Sequence, residues 1–150
     1  KTCMCSSMSV HKYQQKISGP LLDRIDISII VNSVPFEDLR SRETGESSSI
    51  IRNRVVIARN IQKERFKGVS YFTNARMQAS DIEKYCVLND DAEKLLKNAM
   101  EKMGISTRGY SRILKVSRTI ADLATVEKID ASHIAEAIQY YNRSIFNSAV

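Results

Sequence analysis

The stretch STRGYSRILKVSRTIADLA, Ser106 to Ala124, decides the fold class. Tyr110, Ile113, Leu114, Ser117, Ile120, Ala121 and Ala124 recur at helical spacing, whereas Arg112, Lys115, Arg118 and Asp122 occupy the more polar positions. That is the pattern of a long helix burying one stripe against other helices. Ser106 or Thr107 offers a hydroxyl to the first free amides and so predicts the N-terminus.

Outward from this helix the same period returns. Asp90 followed by Glu93 predicts a second helix start, and Ala92, Leu95, Leu96, Ala99, Met100 and Met103 form its apolar stripe. Gly104 suits a left-handed terminating residue. Downstream, Ile129-Asp130 supplies a turn and cap, after which Ile134, Ala137, Ile138 and Tyr141 line a last helix. Upstream, Ser80 with Glu83 fits a capping box for a short helix ending near Cys86. Before that, Ser47 or Ser48 can cap a helix carrying Ile51, Val55, Ala58 and Ile61 or Gln62 inward. Gly68 and Tyr71-Phe72 predict a loop that packs back on this body.

The first 44 residues read differently. In SGPLLDRIDI, Ser18 to Ile27, Gly19-Pro20 breaks or restarts a helix, and Ile25, Ile27, Ile29 and Val31 then alternate as in a strand with one apolar face. Pro35 ends that run, and a short helix is expected over Phe36 to Arg40. The expected fold class is therefore mainly α: residues 45–150 form a helical bundle, and residues 1–44 form a short α/β remnant plus linker.

The chain has 150 residues and a formal net charge of +6, which favours acidic partners, whether nucleic acid, nucleotide or an acidic protein face. Three cysteines do not make a disulfide framework, and no apolar run reaches bilayer length. A reducing cytoplasm is expected, with no membrane partner. Cys86, four residues after Ile82, reads as a buried, inert thiol. Cys3 and Cys5 with His11 fall short of the four ligands tetrahedral zinc prefers.

Arginines concentrate the chemistry. Arg24 lies beside Asp23 and Asp26, and reads either as part of a structural ion network or as a guanidinium offered to a phosphate on a neighbouring subunit. Arg108 stands in the first turn of its helix, where the dipole disfavours a cation and a compensating anion such as phosphate, or a salt bridge, is called for. Arg52, Arg54, Arg59, Lys63 and Arg65 line the outer face of one helix, either as a solvated charge run or as a weak nucleic-acid surface. No G-x-x-x-x-G-K-[ST] loop occurs in these residues, so the chain alone is expected neither to bind nor to hydrolyse ATP.

SGPLLDRIDI at Ser18–Ile27, GESS at Gly45–Ser48, STRGYSRILKVSRTIADLA at Ser106–Ala124 and IDASHIAEAIQY at Ile129–Tyr140 resemble signatures of one family. It is the C-terminal part of the magnesium-chelatase-like AAA+ ATPases related to bacterial competence proteins. The resemblance covers almost the whole chain and implies an ATP- and magnesium-dependent homo-oligomeric ring, hexameric, whose relatives act on DNA in recombination and branch migration. By that resemblance Arg24 would be the arginine finger, and Arg108 the second sensor arginine of a helical lid, contacting the nucleotide. Cys3 and Cys5 would be half of a cysteine cluster completed only in the full-length protein. Two other readings compete: an autonomous basic nucleic-acid-binding module, and a structural oligomerisation domain.

Overall fold

A computed structural model of the chain describes residues 4–14, 16, 21, 24–36, 40 and 45–141. Among them run six α-helices: α1 (Ser7–Gln14), α2 (Ser48–Arg65), α3 (Ala79–Tyr85), α4 (Asp90–Met103), α5 (Thr107–Leu123) and α6 (Ala131–Tyr141). A 3-10 turn at Asn74–Arg76 follows α2.

Helix α5 is the axis of the bundle, packing against α2, α3, α6 and the 3-10 turn, while α4 packs on α6. Ala92 and Leu96 of α4, Ile113, Leu114 and Ala121 of α5, and Ile134 and Ala137 of α6 are buried together. Each large aliphatic side chain withdrawn from water there contributes roughly 1.5–3 kcal/mol. Phe66, just past α2, closes the core from one side, its ring 5.3 Å from that of Tyr71 and 5.7 Å from that of Tyr85. Tyr71 packs back as expected, whereas its neighbour Phe72 is exposed.

The helix ends follow local chemistry. Ser106 caps α5 by accepting a hydrogen bond from the Gly109 amide at 3.1 Å. Gly104 ends α4 with φ 60°, in the left-handed region that glycine enters without a Cβ penalty. Two starts differ from the sequence reading. The N-cap of α4 is Asn89, whose side chain accepts from the Ala92 amide at 2.9 Å, one residue before the expected Asp90. The capping box of α3 is built from Gln78 and Asp81 rather than Ser80 and Glu83, because the Tyr71 hydroxyl also donates to Asp81 and fixes its carboxylate there.

The α/β remnant expected in residues 1–44 is not found: the described residues contain no β-strand, and Ile25–Val31 is irregular chain without a ladder. Alternation supplies an apolar face, but a strand also needs a neighbouring strand to satisfy its amides and carbonyls, and none is present among the described residues. Ile27, Ile29, Ile30 and Val31 accordingly stay exposed. Among the described residues the one β-type pairing is an isolated parallel bridge between Leu88 and Ile129, which ties the start of α4 to the start of α6. The Gly19-Pro20 helix break and most of the expected Phe36–Arg40 helix lie outside the described residues.

Candidate functional site

Helix α5 positions the arginines. Arg108 is its second residue, fully in the first turn set by the Ser106 cap, and it is exposed. No acidic side chain among the described residues pairs with it. Its amide neighbours point their positive ends the same way, so the site favours an incoming anion.

Arg24 is also exposed; its amide donates to the Leu21 carbonyl at 2.9 Å in a turn, and among the described residues no carboxylate holds its guanidinium. Asp26, one of the two acids expected to network with it, is instead committed elsewhere. Its Oδ1 lies 2.9 Å from Nε of Arg112 on α5, and Arg112 Nη1 also reaches the Ile25 carbonyl at 3.4 Å. The Ser28 amide donates to the Tyr140 carbonyl at 2.9 Å, which ties this segment to α6 as Arg112 ties it to α5. Asp26, Ile27 and Ile29 thereby wall one side of a cavity of about 490 Å³ whose other side is Val116, Ile120 and Leu123 of α5.

The basic face of α2 is smaller than the sequence suggested. Arg52, Arg54, Arg59 and Lys63 are exposed. Arg54 is held by Glu46 through two hydrogen bonds of 2.9 Å. Arg65 is not on that outer face: its side chain is only 12% exposed, turned into the bundle onto Asp122. Ile50, Val55, Val56 and Ile57 lie exposed among these cations, so the face is mixed rather than a clean polar stripe.

Arg65, Asp122, Asn74 and Arg118 form the polar centre of the fold. Arg65 donates to both oxygens of Asp122, at 2.7 Å for Oδ2, and to Asn74 Oδ1 at 2.8 Å. Asn74 donates back to Asp122 at 2.7 Å. Arg118 donates through Nε to Asp122 at 3.0 Å and caps the carbonyls of Val126 and Glu127. Arg118 and Asp122, read from sequence as polar positions, are fully buried. Their i, i+4 spacing with opposite charge was the available signal; nothing local indicated that Arg65 would arrive from 57 residues away. Burial pulls the Arg118 guanidinium below its usual range, opposed by the charge of Asp122.

Cys86 is buried as expected, and desolvation pushes its thiol up to about 11. Cys5 is exposed and Cys3 lies outside the described residues, among which no cluster of three metal-ligating side chains occurs. No helix of the described residues is long and apolar enough to cross a membrane.

Residues 45–141, the bundle that carries Arg108 and Arg112, match the family described as magnesium chelatase, subunit ChlI C-terminal, and residues 1–39 match magnesium chelatase, subunit ChlI. The chain belongs to the magnesium-chelatase-like AAA+ family. Within it, the chain is 42% identical over 136 residues to competence protein ComM of Haemophilus influenzae, covering 90% of this chain and 26% of that protein. It is 36% identical to YifB of Salmonella typhimurium and 33% identical to YifB of Escherichia coli, each over 91% of this chain and 26% of the relative. The chain therefore spans about a quarter of the length of these magnesium-chelatase-like relatives.

Proposed function

We propose that this chain is the lid-bearing C-terminal portion of an ATP-driven AAA+ ring that acts on DNA during recombination or branch migration. Residues 45–150 are the lid, and residues 1–44 carry the arginine finger toward it. Arg24 stabilises the transferring phosphoryl group of the adjacent subunit's nucleotide, and Arg108 senses the nucleotide of its own subunit. ATP and magnesium are held by residues of the full-length protein outside this chain, and a homo-oligomeric, hexameric ring brings the two arginines to successive sites. Cys3 and Cys5 belong to a cysteine cluster completed there.

The observation that carries this reading is Arg108: an exposed cation in the first turn of the bundle's central helix, with no acidic partner among the described residues. Such a placement is unfavourable until an anion arrives. Phosphoryl oxygens meet it with the planar, multidentate geometry a guanidinium recognises. Family membership supports a general ATPase and DNA-associated role, and the narrower role in recombination or branch migration is the proposal.

Trans-complementation in the full-length protein tests it. Arg24→Ala subunits should assemble and bind ATP but turn it over poorly, roughly 10³-fold or more below the parent by analogy with other arginine fingers. Mixing them with subunits whose own ATP-binding loop is disabled should restore part of the turnover, because each supplies what the other lacks. Parent-level turnover by assembled Arg24→Ala rings would end the assignment.

A further inference from the structure

The reading of Arg24 and Arg108 leaves open how the two communicate, and the contact between Arg112 and Asp26 supplies a path. Arg108 and Arg112 are four residues apart on α5, hence on one face and about 6 Å apart along the axis. Arg24 and Asp26 are two residues apart in the chain, a span of at most about 7 Å. One ion pair, Arg112 Nε to Asp26 Oδ1 at 2.9 Å, joins the two pairs.

We propose that Arg112, through Asp26, is the positioning residue that couples the lid's nucleotide-sensing arginine to the arginine finger, so that the nucleotide state of one subunit sets the finger offered to the next. The inference rests on the functional reading above. In it Arg108 answers to its own subunit's nucleotide and Arg24 serves the neighbour's, so a mechanical link between them within one chain is a link between two active sites.

The geometry suits a coupling element better than a stabilising one. The Arg112 side chain is 15% exposed but that of Asp26 is 55% exposed, and pairs this open to water contribute little to stability. The same openness lets the pair break and re-form as the lid moves. Arg112 also holds the Ile25 carbonyl, so its planar fork addresses the backbone next to Arg24 as well as the Asp26 side chain. A lysine would keep the charge and lose that second contact. The Ser28–Tyr140 backbone bond anchors the segment further on and leaves the Arg24 end governed by Arg112.

The test compares charge reversals in full-length, assembled rings: Arg112→Glu, Asp26→Arg and the two combined, with Arg24→Ala and Arg108→Ala as references. Turnover is followed against ATP concentration, and in rings doped with subunits unable to bind ATP. The parent should turn over ATP cooperatively. Each single reversal should lower kcat at least about threefold and bring the Hill coefficient toward one, with KM and assembly little changed; the double reversal should recover cooperativity. Asp26→Asn, which keeps size and removes charge, covers the case in which a reversal fails to assemble and should likewise lose cooperativity. If Arg24→Ala and Arg108→Ala depress turnover while the reversals and Asp26→Asn keep parental cooperativity, the coupling is overturned and the roles of the two arginines stand. A non-cooperative parent ring overturns the coupling as well. Parent-like turnover in Arg24→Ala removes the underlying reading and the coupling with it.

Discussion

Gly109 of α5 and Tyr141 of α6 are in direct apposition: a Cβ built on Gly109 would stand 2.7 Å from Tyr141 Cζ and closer still to its hydroxyl, and 2.8 Å from Ile105 Cγ2. Absence of a side chain at this position lets the last turn of α6 close over the first turn of α5. It does so one residue from Arg108.

Gly109→Ala is therefore expected to destabilise the fold by about 1–3 kcal/mol through overpacking, outweighing the up to ~1 kcal/mol that alanine gains over glycine in a helix. Chemical denaturation checks this. The paired variant Gly109→Ala with Tyr141→Leu should recover part of the loss.

Arg108→Ala should leave the bundle's stability within about 0.5 kcal/mol of the parent, since the side chain is exposed and makes no ion pair among the described residues. Turnover by the full-length ring should nevertheless fall, together with nucleotide-induced movement of the lid. Denaturation, turnover and a distance probe between lid and nucleotide site, measured on the same variant, separate the two effects. Parental turnover and movement would make Arg108 incidental.

Asp122→Ala should be among the most disruptive single changes, by about 3–5 kcal/mol, because it leaves Arg65 and Arg118 without their shared carboxylate in the interior. Glu64→Ala, which removes only the exposed pair with Lys67, should shift stability by less than about 0.5 kcal/mol. A melting comparison of the two decides whether the buried network has this weight.

Cys86 should resist thiol reagents at neutral pH until the protein unfolds, since desolvation keeps it protonated with a pKa of about 11. A raised acid pKa stabilises the folded state fully below the unfolded thiol value near 9, and that contribution disappears as pH climbs from about 9 to about 11. Cys86→Ala should show a weaker loss of stability across that alkaline window. Rapid labelling in the native protein at pH 7 would contradict the burial argument.

The helices of the bundle, α2 to α6, were legible because each announces itself locally: the Ile113–Leu114–Ala121 stripe, Gly104 and the Ser106 cap are all short-range signals, whereas α1 at Ser7–Gln14 was not read from the sequence. Strand order was not, since the alternation of Ile25 to Val31 specifies a face and leaves open whether a partner strand lies alongside. The exposed Arg24 and Arg108 could be picked out from their surroundings. Arg112 and Arg65 could not be told apart from ordinary surface arginines, because what distinguishes them is the carboxylate each meets, brought from 86 and 57 residues away. Long-range charge pairing leaves no periodic trace.

Arg118 gives two of its donors to the carbonyls of Val126 and Glu127, in the bend where Thr125 takes φ 58°. The joint between α5 and α6 is thus clamped from the interior rather than left to its own turn. A bend braced in this way from the interior resists any change in the angle between α5 and α6.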